Sequence, residues 1–154
     1  MASSSTRRRA REPSAPYLAL PRVMVDSNVL IDIFDDDPAW FDWSFEQLAP
    51  LLEAQRAVIN PLIYAELAAS FSSIETLERR LAQHPVQREA LPWDAAFMAA
   101  QAHKLYRRRG GVKRSPLPDF YIGAHATVGG YTLLTRDPAR YREYFPRLRM
   151  IAPE

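Results

Sequence analysis

Apolar and polar positions switch between two periods along the chain, and the switches mark the elements. Residues 23–25, VMV, form a short apolar run that stops at Asp26-Ser27-Asn28, and VLIDIF follows with helical spacing. Strand, polar turn and helix are predicted in that order. Asp37 before Pro38 reads as an N-cap followed by a first helical position, opening a helix over 39–54 with the apolar stripe Trp40, Phe41, Phe45, Leu48, Leu51 and Leu52. Residues 57–59 are a second strand. Asn60-Pro61 opens a helix to about residue 71, Ser72 or Ser73 caps another to about residue 83, and 87–91 form a strand closed by Pro92. A long helix from Trp93 and Asp94 stops at Gly110-Gly111, with Asp94 as its capping acid. Pro118 starts a helix to about residue 128. A strand over 131–135, a short helix over 139–144 and a strand over 149–151 complete the chain.

Four or five short apolar strands separated by helices call for a parallel sheet covered on both faces. Ligands of such sheets sit outside the carboxyl ends of the strands. Asp26 directly follows the first strand, and Asp137 follows the strand over 131–135 with one residue between, so both carboxylates are expected on that edge. Glu66, five residues past Pro61, and Asp119, one past Pro118, lie in early helical turns that can face it. Four crowded carboxylates need a cation or a proton, because a like neighbour raises a carboxylate's pKa. An oxygen-only donor set suits Mg²⁺ or Mn²⁺. Taken singly, each acid also has an ordinary reading, as a solvated helix residue for Glu66, a dipole partner for Asp119 and a helix cap for Asp137.

Composition narrows the class. The 154 residues carry 20 basic and 18 acidic side chains, a net charge of +2, which is no signature of nucleic-acid binding by itself. Only Lys104 and Lys113 are lysines; the other basic residues are arginine. The length fits one domain. With no cysteine, disulfides and thiolate metal sites are excluded. No apolar run is long enough for a membrane span, and a cytoplasmic protein is expected. Residues 1–21, rich in Pro, Ser and Arg, read as a flexible arm preceding a domain over 22–154; it either contacts RNA through Arg7, Arg8, Arg9 and Arg11, is a weak transit-like sequence, is an over-extended start upstream of Met24, or is a solvated tail. The run Arg107, Arg108, Arg109, Gly110, Gly111, Val112, Lys113, Arg114 enters the loop ahead of Asp119, where its cations either hold a phosphate backbone or form a solvated helix end. His84, His103 and His125 have no ligand or catalytic spacing and are read as structural.

The segments VDSNVLID, NPLIYAELA, LPDFYIGAHA and LLTRDPARYREYFPRLRMIAP, in this order, resemble a PIN-domain protein of the VapC-type toxin-ribonuclease group over roughly residues 23–153. The resemblance implies a PIN-like three-layer sandwich and a Mg²⁺- or Mn²⁺-dependent endoribonuclease leaving a 5′-phosphate and a 3′-hydroxyl. It implies Asp26, Glu66, Asp119 and Asp137 as the acidic, metal-binding quartet, with Asn28 and Thr135 as the polar residues beside its first and last members. It also implies a cognate antitoxin as partner and a homodimer. Phe120-Tyr121 is bulkier than the family's usual residues after the third acid and is expected to narrow or reshape the groove. Trp40 and Trp43 are either core or a docking surface. A receiver domain is disfavoured because neither lysine follows a late strand, and a HAD-like phosphatase because Asn28 stands where a second aspartate belongs. A PIN-like module that binds RNA or protein without cutting is the alternative.

Overall fold

The computed structural model describes residues 20–154; the predicted arm lies almost wholly outside them. The elements are β1 (Val23–Val25), α1 (Ser27–Phe34), α2 (Phe41–Glu53), β2 (Ala57–Ile59), α3 (Pro61–Ala68), α4 (Ile74–Ala82), β3 (Gln87–Arg88), α5 (Trp93–Arg108), α6 (Pro118–Gly129), β4 (Thr132–Leu134), α7 (Ala139–Tyr144) and β5 (Met150–Ile151). Every strand pairing is parallel, in the order β3-β2-β1-β4-β5, with Val23 opposite both Ala57 and Thr132. The expected α/β architecture, a parallel sheet between helical layers, is therefore present.

The central strands are short and apolar apart from Thr132, because helices cover both faces. Val23, Met24, Val25, Ala57, Val58, Ile59, Leu133 and Leu134 are all buried, and α1, α3 and α6 pack Val29, Leu30, Ile63, Leu67, Ile122 and Ala126 into the same core. The edge strands are cut to two residues each. β3 ends at Arg88, short of the expected Leu91, and β5 begins at Met150. Each has one neighbouring strand, so fewer backbone groups are held in the ladder.

Local signals set the helix starts. Asn60 Oδ1 accepts from Ile63 N at 2.9 Å, capping α3 ahead of Pro61. Asp37 Oδ1 accepts from the amides of Ala39 and Trp40, but it caps a turn one step before α2, whose regular helix begins at Phe41. At the end of α6, Gly130 adopts φ +68°, the left-handed conformation that glycine enters without steric cost.

Strand order is what places the site. From β1 the chain builds outward to β2 and β3, then returns through α6 to lay β4 against the other side of β1. The sheet reverses its direction of growth between β1 and β4, and the crevice at their carboxyl ends is where such sheets bind ligands. Asp26 and the Thr135–Asp137 segment flank that crevice. Among the described residues no helix is long and apolar enough to cross a membrane.

Candidate active site

Asp26 leaves β1 at the switch point and caps α1, its Oδ1 accepting from Ser27 N at 2.8 Å. Its Oδ2 is crowded with neutral donors: Thr135 Oγ1 at 2.8 Å, Tyr141 OH at 3.0 Å and Asn28 Nδ2 at 3.4 Å. The side chain is buried and, among the described residues, has no cationic partner. Burial pushes its pKa up to about 6, the Thr135 bond opposes this, and the Asp119 charge adds to it.

Glu66 projects from α3 with its Oε1 buried and without a hydrogen-bond partner among the described residues. Burial, then the Asp26 and Asp119 charges, raise its pKa to about 7, with the Ser27 hydroxyl opposing. Asp119 follows Pro118 in the first turn of α6. Its Oδ1 meets Tyr141 OH at 3.3 Å and its Oδ2 meets Arg140 Nη1 at 3.3 Å. Asp137 stands apart: its side chain is 71% exposed and caps no helix. It joins the others through Asn28 Nδ2, 3.4 Å from Asp137 Oδ2 and 3.3 Å from Thr135 Oγ1. The Asn28 amide thus touches three residues of the predicted constellation, while its own Oδ1 accepts from Arg136 N at 3.1 Å.

Asp26, Glu66 and Asp119 accordingly form a mutually repelling group, with Asp137 at its rim. Among the described residues, no three acids or histidines close into a ready-made metal cage. The donor chemistry nevertheless fits a hard divalent cation: all oxygen, crowded, with a buried Glu66 oxygen lacking any partner. Asp26, Glu66 and Asp119, with Asp137 at the rim, are the side chains that could hold one.

The sequence profile of the PIN domain matches residues 23–144. The chain belongs to the PIN-domain family. Comparison with curated proteins returns no significant sequence match. Among solved structures, this PIN domain is similar to VapBC2 from Rickettsia felis bound to a promoter DNA fragment, with TM-score 0.65 and 17% identity over 86% of this chain and 98% of that one. A toxin-antitoxin complex from Klebsiella pneumoniae gives 0.63 and 20% over 86% and 98%. FitAcB from Neisseria gonorrhoeae gives 0.60 and 19% over 84% and 96%.

Two cations that the sequence did not single out contact this PIN domain's acids. Arg140 pairs with Asp119, and Arg136 lies 3.9 Å from Asp137. Arg136 is otherwise engaged, with Nε donating to buried Asp32 Oδ2 at 2.9 Å and its guanidinium 5.4 Å from the Trp40 ring centre. Tyr141, also unforeseen, is buried under the site. The five basic loop residues make no direct contact with the quartet among the described hydrogen bonds and ion pairs. Arg109 pairs with Glu143 at 2.9 Å and Arg107 turns back onto Gly111 O at 3.0 Å, whereas Arg108, Lys113 and Arg114 are exposed.

Three smaller expectations resolve. Phe120 does not narrow the groove, because it is buried against Tyr144, Tyr106 and His103, with ring centres 4.9, 5.7 and 6.3 Å away. Trp43 and Trp40 are half-buried, the first packed on the core and the second beside Arg136. His125 is buried, with Nδ1 3.1 Å from the Asn60 amide nitrogen.

Proposed function

We propose that this PIN domain is a Mg²⁺- or Mn²⁺-dependent endoribonuclease, the toxin of a toxin-antitoxin pair acting in the cytoplasm. The observation that carries the reading is the concentration of acids at the sheet's switch point, where neither Asp26 nor Glu66 has a cationic partner among the described residues. A buried acid without a counter-charge costs stability, and such costs cluster where function needs them. A divalent ion supplies the counter-charge and the Lewis acidity for hydrolysis of a phosphodiester. Asp26 and Asp119 would hold it directly, with Glu66 and Asp137 directly or through water. Asn28 keeps Asp137 beside Thr135 and Asp26. In the reaction a water oxygen joins phosphorus as the P–O3′ bond breaks, leaving a 5′-phosphate and a 3′-hydroxyl.

The fold neighbours are toxin-antitoxin complexes, which supports a small antitoxin as partner; a homodimer is the expected assembly. The five loop cations extend the site as an RNA-backbone contact, with Arg108, Lys113 and Arg114 most available.

Cleavage of bulk RNA with Mg²⁺ or Mn²⁺, and its suppression by EDTA, tests the activity. Asp119→Asn is expected to lower the rate by more than about a hundredfold, since a catalytic metal contributes several kcal/mol, while melting stays cooperative. Full activity in that variant removes Asp119 from the site. RNA binding without cleavage under any metal supports the non-catalytic module instead.

A further inference from the structure

Among the described residues, Tyr141 is the side chain whose hydroxyl lies within hydrogen-bonding distance of two of the acids. Its ring is 1% exposed, and its OH is 3.0 Å from Asp26 Oδ2 and 3.3 Å from Asp119 Oδ1. A buried phenol needs one acceptor. Here two carboxylates from different elements share a single proton. Asp26 already has Ser27 N on one oxygen and Thr135 on the other, so Tyr141 is not required merely to satisfy it. The neighbouring Arg140 takes the second oxygen of Asp119. α7 therefore grips both oxygens of Asp119 and, through Tyr141 alone, ties that acid to Asp26.

We propose that Tyr141 is a positioning residue, its hydroxyl setting the separation of Asp26 and Asp119 at which these acids accept a divalent cation. This rests on the metal-site reading above. With one proton between two acceptors, the hydroxyl can favour either acid by rotating about the C–O bond, so it restrains the pair without occupying an Asp119 oxygen permanently. Tyr141→Phe keeps the ring that fills the core and deletes only this link. Partners of this kind around a metal ligand typically carry 10–100-fold in affinity.

The test is calorimetric titration of the full chain with Mn²⁺, beside thermal melting and steady-state cleavage. For Tyr141→Phe the expected result is about tenfold weaker Mn²⁺ binding, a lowered kcat, an unchanged KM for RNA and a melting temperature near the wild-type value. Equal or tighter Mn²⁺ binding in Tyr141→Phe overturns the proposal and leaves the metal site standing. A wild-type chain that takes up no Mn²⁺ overturns both. If Tyr141→Phe does not fold, 3-fluorotyrosine placed at 141 gives the second readout. Its ¹⁹F resonance is expected to shift as Mg²⁺ binds, and a resonance unmoved by bound Mg²⁺ overturns the proposal.

Discussion

Asp26 and Asp32 stand at either end of the same short helix, both buried, and the protein treats them in opposite ways. Asp32 receives a guanidinium, Arg136 Nε at 2.9 Å, and a hydroxyl, Ser44 Oγ at 2.8 Å. Among the described residues Asp26 receives only neutral donors and faces the Asp119 charge, and its neighbour Glu66 has an oxygen without a partner. Burial of an acid is thus no mark of function. The mark is burial with the counter-charge left out, as at the sheet's switch point and not six residues away.

Removing the counter-charge from Asp32 should make the contrast vanish. Arg136→Met strands a buried carboxylate, a loss of about 3–5 kcal/mol, which in a chain of this size lowers the melting temperature by about 10 °C or more. Asp32→Leu combined with Arg136→Met should recover much of it, because the pair is then replaced by apolar groups. A single Arg136→Met variant as stable as wild type would mean that Asp32 is compensated elsewhere.

A smaller effect of opposite sign is expected at Glu66. Its folded pKa of about 7 lies above its ordinary 4.5, and that of Asp26, about 6, above 3.8. For a raised acid, the stabilisation is complete below the unfolded pKa and is lost as pH rises through the folded one. Metal-free wild type should therefore lose stability relative to Glu66→Gln between about pH 4 and pH 7. The difference is about 1–2 kcal/mol after allowance for solvent around a half-buried group. Parallel stability curves for the two proteins across that range would contradict the assignment.

The basic loop should show the smallest change. Arg108, Lys113 and Arg114, replaced together by glutamine, should raise KM for RNA several-fold and reduce its salt dependence, with kcat little altered. A KM insensitive to salt in both proteins would leave the loop as a solvated helix end.

The sequence made some of this legible, and the division follows sequence distance. The Asn60 cap, the Pro118 helix start and the Gly110-Gly111 stop after α5 depend on neighbours a few residues away, and the pattern showed them. The carboxylates after β1 and β4 were also readable, because strand order in a parallel sheet carries residues to one edge. Arg136 and Asp32 lie 104 positions apart, and Tyr141 and Asp26 115. Asp32 and Tyr141 fall inside the predicted helices, VLIDIF and 139–144, and the sequence assigned neither a role. Nothing local distinguishes a tyrosine that fills space from one whose hydroxyl meets two acids. The edge strands come out shorter than drawn, two residues each, because each is laddered to a neighbour on one side only.

The central claim is that the charge around Glu66 is left uncompensated for a cation. Thermal melting of wild type and Glu66→Gln at pH 7.5, with EDTA and then with excess Mn²⁺, tests it in one experiment. The variant is expected to melt higher in EDTA, and the order is expected to reverse in Mn²⁺ as the wild type gains binding energy that the variant lacks. A variant that melts at or below wild type in EDTA, or that gains as much from Mn²⁺, would contradict the claim.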